Sequence, residues 1–126
     1  YVNMLEEIKY FLYDRIDYAL KMGIDENKII IDPGIGFGKS LEDNYVIIKY
    51  LSEFEKLGFP LLIGLSRKSL IGKVDGSRAG ERDLTSKALE AISVVNGADI
   101  IRTHDVESLS KILTVVDFYK KVNING

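Results

Sequence analysis

The chain of 126 residues contains no cysteine. That removes any disulfide framework, thiolate metal site or cysteine nucleophile, and it suits a cytoplasmic enzyme, the location expected for it. Histidine occurs once, at His104, so a metal site built from several imidazoles is excluded too. Positive charge is not in excess. The formal net charge of -2 argues against a nucleic-acid partner held by bulk electrostatics. No apolar run approaches the roughly 20 residues of a membrane-spanning helix. The acidic first ten residues also lack the basic start of a signal peptide. Low-complexity tracts and internal linkers are missing, so the chain reads as one domain or part of one. It opens inside a helical pattern, which gives the expectation that further chain precedes it.

With 46% hydrophobic and 29% charged residues, the composition is that of a folded globular chain. From Val2 to Met22 the residues Leu5, Ile8, Leu12, Ile16 and Ala19 recur at steps of three and four. This spacing predicts an amphipathic helix with Glu6, Lys9, Asp14 and Lys21 facing water and Gly23 as its stop. Tyr10, Tyr13 and Tyr18 on it read as packing residues rather than a stacking platform. The β-branched run Ile29 to Ile31 predicts a buried strand, which Asp32 and Pro33 end. A helix over Glu42–Leu57 follows, with Tyr45, Ile48, Leu51 and Phe54 as its stripe. Next come a strand over Leu61–Leu65 and a polar loop from Gly72 to Asp83. Leu84–Val95, Ala98–Ile101 and Glu107–Tyr119 complete the series as helix, strand and helix. The last helix turns Leu109, Ile112, Leu113 and Val116 inward, and the tail to Gly126 is expected to fray.

Apolar strands alternating with helices predict parallel β/α units. Three such strands form either a small open sheet covered on both faces or part of a barrel. A (β/α)8 barrel takes about 250 residues, about twice this chain. The expected fold class is therefore α/β, with about three strands and four helices forming the C-terminal half of a TIM (β/α)8 barrel. Residues 1–126 would be a single partial domain.

Each strand end carries polar chemistry. In the stretch Gly34 to Ser40 a nucleoside-triphosphate loop would need glycine at position 33, which is Pro33, and the dinucleotide spacing fails at Lys39. Asp32 has two readings. Its carboxylate suits the paired donors of an amidine-like edge, such as an aminopyrimidinone ring presents, or it caps the following glycine turn. Ser66, Arg67, Lys68 and Ser69 suit an anionic or carbonyl-bearing ligand, or form a solvated polar loop. Arg102 and His104, two apart on an extended backbone, face the same way and suit phosphate or pyrophosphate, with a structural histidine as the alternative. In a parallel sheet the three ends converge, which favours one anion-and-ring site over three accidents.

Taken together, DPGIGFGK, GLSRKSLIG and RTHDV resemble the motifs of the dihydropteroate synthase family, pterin-binding (β/α)8 enzymes of folate biosynthesis. The resemblance covers strands six to eight with their helices, nearly the whole chain. It implies a transferase that joins 6-hydroxymethyl-7,8-dihydropterin pyrophosphate to p-aminobenzoate, giving dihydropteroate and pyrophosphate. It implies that Asp32 holds the pterin's aminopyrimidine edge and that Lys68 contacts the pterin and borders the p-aminobenzoate pocket. Phe37 and Arg67 would shape that pocket, Ser69 would meet the aminobenzoate carboxylate, and Arg102 and His104 would bind pyrophosphate. Lys68, Arg102 and His104 are the expected catalytic groups.

Magnesium is the implied cofactor, its ligand lying outside this chain, and no metal ligand is expected within it. The expected partners are these small molecules, together with a second copy or an N-terminal half, and neither nucleic acid nor membrane. Two departures stand out. The family's first five strands are absent, so the chain alone is expected to be inactive. The segment ERDLTS, Glu81 to Ser86, also lacks a glycine common at the start of the seventh helix. Alternatives are a pterin-binding methyltransferase domain and a non-catalytic half-barrel. The half-barrel's sign would be a bare sheet face of Ile29, Ile31, Leu61 and Ile63, or of their alternates.

Overall fold

Helix α1, Val2–Lys21, forms as its spacing predicts: Leu5, Leu12 and Ile16 enter the core. A computed structural model describes residues 2–125; the expected frayed tail therefore runs partly outside the described residues, at Gly126. The helix ends in a Schellman motif, with Ile24 N–H on the Ala19 carbonyl and Gly23 N–H on that of Leu20. This needs φ +92° at Gly23, a conformation that favours glycine.

Two expectations are corrected on α1. Tyr10, Tyr13 and Tyr18 are exposed, because they fall off the Leu5–Leu12–Ile16 stripe, and Arg15 lies over the Tyr18 ring at 5.1 Å. Lys9 does not simply face water. It donates to Glu6 and to Glu53, tying α1 to a later helix.

The strands are shorter than their apolar runs. Strand β1 is Leu62–Ile63 and β2 is Ile100–Ile101, paired in parallel, with Leu62 opposite Ile100. Ile31 joins only through an isolated parallel bridge to Leu61. β1 thus lies between the Ile31 segment and β2. Ile31, Leu61, Ile63 and Leu65 are buried among the helices, whereas the alternates Ile30 and Ile100 are exposed. One sheet face is therefore covered and the other is bare.

The single helix expected over Glu42–Leu57 is two: α2, Leu41–Lys49, and α3, Ser52–Glu55. The two helices are separated at Tyr50 and Leu51, and Ile47, Ile48, Leu51 and Phe54 all enter the core. The expected loop from Gly72 to Asp83 begins inside α4, Ser69–Asp75. Its later part contains a 3-10 turn over Ala79–Glu81. Polar composition hid α4, which buries only Leu70 and Ile71. Helices α5, Asp83–Val95, and α6, Val106–Lys121, match the expected pattern within a few residues. Helix α5 begins at Asp83, without the family's glycine and without a side-chain cap on its first turn.

Candidate functional site

The turn after Ile31 is held from within. Asp32 Oδ1 accepts from Gly34 N–H at 2.8 Å, so the turn-capping geometry is present, and the exposed carboxylate remains turned to solvent. Gly36 N–H donates to the Oδ1 of Asn44 at 2.8 Å, and Asn44 Nδ2 donates to the Ser40 carbonyl at 3.0 Å. The buried Asn44 thereby ties the glycine loop to α2, whose first turn Ser40 caps by accepting from Asp43 N–H. Lys39 reaches back to the carbonyls of Gly34 and Phe37.

Lys68 crosses from the turn after β1 to this loop. Its Nζ donates to the Ile35 carbonyl at 2.7 Å and stands 4.8 Å from the centre of the exposed Phe37 ring. A Cβ at Gly36 would come within 3.0 Å of the Lys68 stem, so the crossing needs glycine there. Burial lowers the Lys68 ammonium's proton affinity; Arg102 and Lys39 add to this, and Asp32 opposes it. Asp32, Phe37 and Lys68 therefore form one neighbourhood.

The segment after β2 meets the one after β1 across a cleft of about 260 Å³, lined by Gly64, Ser66, Lys68, Arg102, Thr103 and His104. Gly64 leaves room for the Arg102 guanidinium, whose Nη2 would lie 2.6 Å from a Cβ. The buried Ser66 Oγ accepts from His104 N–H at 3.2 Å and meets His104 Nδ1 at 2.7 Å. With that hydroxyl donating to Nδ1, Nε2 carries the ring's N–H. An ammonium, a guanidinium and an imidazole on one concave wall can hold a multiply charged anion and stabilise charge developing on it.

Arg67 and Ser69 lie apart from this cleft. Arg67 adopts φ +61° and pairs through one guanidinium edge, Nε and Nη2, with both oxygens of Asp83, at 2.7 and 3.0 Å. Its N–H donates to Ser86 Oγ and its carbonyl accepts from Arg82. Three residues around the start of α5 thus hold a strained backbone that sets the direction of Lys68. Ser69 is exposed at the first position of α4. Among the described residues no three His, Asp or Glu side chains gather as a metal ion requires.

Asn44 and Glu90 went unremarked in the sequence. Glu90 is fully buried on α5, where its Oε1 accepts from the Thr103 hydroxyl at 3.2 Å. Burial pushes its carboxyl up to about 7, with the Thr103 hydrogen bond and Lys87 opposing. Its signal was phase: Ser86, Glu90 and Ser93 fall on the same helical stripe as Leu89.

A model of the family described as pterin-binding enzymes matches residues 1–104. The chain belongs to the pterin-binding enzymes. The dihydropteroate synthase of Synechocystis sp. is 42% identical over 118 residues, covering 93% of this chain and 41% of that protein. The Haemophilus influenzae dihydropteroate synthase is 42% identical over 115 residues, covering 91% and 42%. The solved dihydropteroate synthase of Coxiella burnetii, in complex with pteroic acid, superposes with a TM-score of 0.93 at 37% identity. It covers 96% of this chain and 46% of that one. The Xanthomonas albilineans dihydropteroate synthase in complex with 7,8-dihydropteroate gives a TM-score of 0.92 at 38% identity, covering 98% and 49%. The chain therefore spans less than half the length of these relatives. Its helix-rich build around a parallel sheet is consistent with part of a barrel.

Proposed function

We propose that this chain supplies the C-terminal share of a dihydropteroate synthase, three β/α units of a (β/α)8 barrel, with residues 1–126 as one partial domain. The observation that carries this reading is the cleft where Lys68, Arg102 and His104 meet at neighbouring strand ends. In the complete enzyme the amine of p-aminobenzoate attacks the methylene carbon of the dihydropterin pyrophosphate. A C–N bond forms, the C–O bond to pyrophosphate breaks, and the amine's proton goes to solvent. Arg102, His104 and Lys68 hold the departing pyrophosphate and stabilise its added charge, while Asp32 receives the paired donors of the pterin ring. Phe37, Arg67 and Ser69 border the aminobenzoate side, and Arg67 does so from its Asp83 anchor.

Magnesium, implied by the resemblance, would be held by groups outside this chain. The bare sheet face of Ile30 and Ile100 is what an N-terminal half or a second copy would cover. The cytoplasm is the compartment this chemistry implies. Calorimetric titration of the dihydropterin pyrophosphate with magnesium, into the chain alone and mixed with the remaining part of a related synthase, tests the proposal. Binding that requires the added part and vanishes in Arg102→Ala supports it. A folded mixture that binds nothing overturns it.

A further inference from the structure

Behind the cleft wall lies a carboxyl that the proposed chemistry leaves idle. Glu90 is fully buried, its Oε1 engages the Thr103 hydroxyl, and its Oε2 has no hydrogen-bond partner among the described residues. A half-satisfied buried carboxyl is a poor structural choice where an apolar side chain of similar size would pack without desolvation cost. Thr103 stands between Arg102 and His104, and all three line the cleft. Whatever fixes Thr103 therefore fixes the backbone that aims the guanidinium and the imidazole.

We propose that Glu90 is a positioning residue for the anion cleft. By holding the Thr103 hydroxyl it fixes the Arg102–His104 segment, and its own charge, gained or lost behind that segment, tunes how tightly the cleft holds a pyrophosphate-type anion. The inference rests on the reading of the cleft as an anion site.

The carboxyl changes charge at about 7, so it is neutral at pH 6 and anionic at pH 8. Lys87 and Asp83 act on it from α5 itself, and Asp105 acts from the start of α6. Lys87 is largely engaged by Asp105, at 2.6 Å, which limits its ability to neutralise Glu90. From α2 come the buried Ile47 and Ile48, while Glu42 and Lys49 are exposed; on α4, Lys73 and Asp75 are exposed. Arg102 and His104 follow β2 at the cleft itself. Ionised Glu90 thus places a weakly compensated negative charge behind a site for anions, and binding weakens as pH rises.

Inorganic pyrophosphate is titrated into the chain mixed with the remaining part of a related synthase, with wild type and variants of the chain, at pH 6 and pH 8. The ligand's own titration is common to every variant, so the ratio of the two dissociation constants is compared between proteins. Wild type should show a pH 8 to pH 6 ratio about fivefold larger than Glu90→Gln, the effect of one partly screened charge. Glu90→Gln keeps an oxygen for Thr103 and should bind at pH 8 more tightly than wild type. Glu90→Leu, with no acceptor, should bind about fivefold more weakly than Glu90→Gln at both values, the loss of one hydrogen bond's positioning. Equal ratios in wild type and Glu90→Gln overturn this inference while leaving the anion cleft standing. Absence of pyrophosphate binding by wild type at either pH overturns the cleft reading and this inference together.

Discussion

Lys68 and Ile35, 33 positions apart, are joined by a 2.7 Å hydrogen bond from the ammonium to the main-chain carbonyl. The bond fastens the glycine loop of the first strand end to the cleft of the second and third. The side chain that carries positive charge into the cleft is therefore also a strut.

Lys68→Ala should cost on both counts. Affinity of the complete synthase for its pterin pyrophosphate should fall at least about tenfold, equivalent to ~1.4 kcal/mol. Calorimetric titration reads this directly, and unchanged affinity would remove Lys68 from the site.

Gly64→Ala separates binding from folding. Its Cβ would meet only the far end of the Arg102 side chain, at 2.6 Å to Nη2, which can swing away. Stability to urea should change by less than about 1 kcal/mol, while pyrophosphate binding weakens severalfold as Arg102 is displaced. Equal affinity with intact folding would show that Arg102 does not act from this position.

Asn44→Ala should destabilise the chain by about 1–3 kcal/mol, because the Gly36 N–H loses its acceptor and the Ser40 carbonyl loses one of its two donors. Urea unfolding followed by circular dichroism measures the loss. An unchanged midpoint would mean that the glycine loop is held without Asn44.

Glu90 makes stability depend on pH. Its folded value of about 7 stands above the ordinary 4.5, so between these pH values the folded chain keeps a proton that the unfolded chain has released. Its contribution is fully present below pH 4.5 and is lost as pH rises through about 7, a total of about 3 kcal/mol. Glu90→Gln lacks this titration. From pH 5 to pH 8 the variant should gain about 2–3 kcal/mol relative to wild type; a pH-independent difference in unfolding free energy would contradict the account.

Helical phase was legible because it is repeated many times: Leu5, Leu12 and Ile16 state the face of α1 three times over. Strand ends were legible for a different reason, since Asp32, Lys68 and Arg102 each follow a short apolar run that cannot continue unpaired. The break after Lys49 was not legible, because both halves are helical and only the demands of packing Leu51 and Phe54 decide between them. Helix α4 was hidden by its polar composition and by Gly72, which is there to make space: a Cβ would collide with Arg82 and the Ser77 carbonyl. Arg67 is held by Asp83, 16 positions later, and nothing near Arg67 in the sequence marks that pairing. Side-chain pairings over such separations are not written in local pattern.

Because β1 lies between the Ile31 segment and β2, the order of synthesis matters. Leu61 gives its N–H to the Asp99 carboxylate 38 positions later, and its carbonyl receives the N–H groups of Asp99 and Ile100. A nascent chain that ends before Asp99 has made Lys68 but not the strand that walls it in. The ribosome must release residues through His104 before an anion can find Lys68, Arg102 and His104 together, so on the growing chain the cleft is among the last features to form.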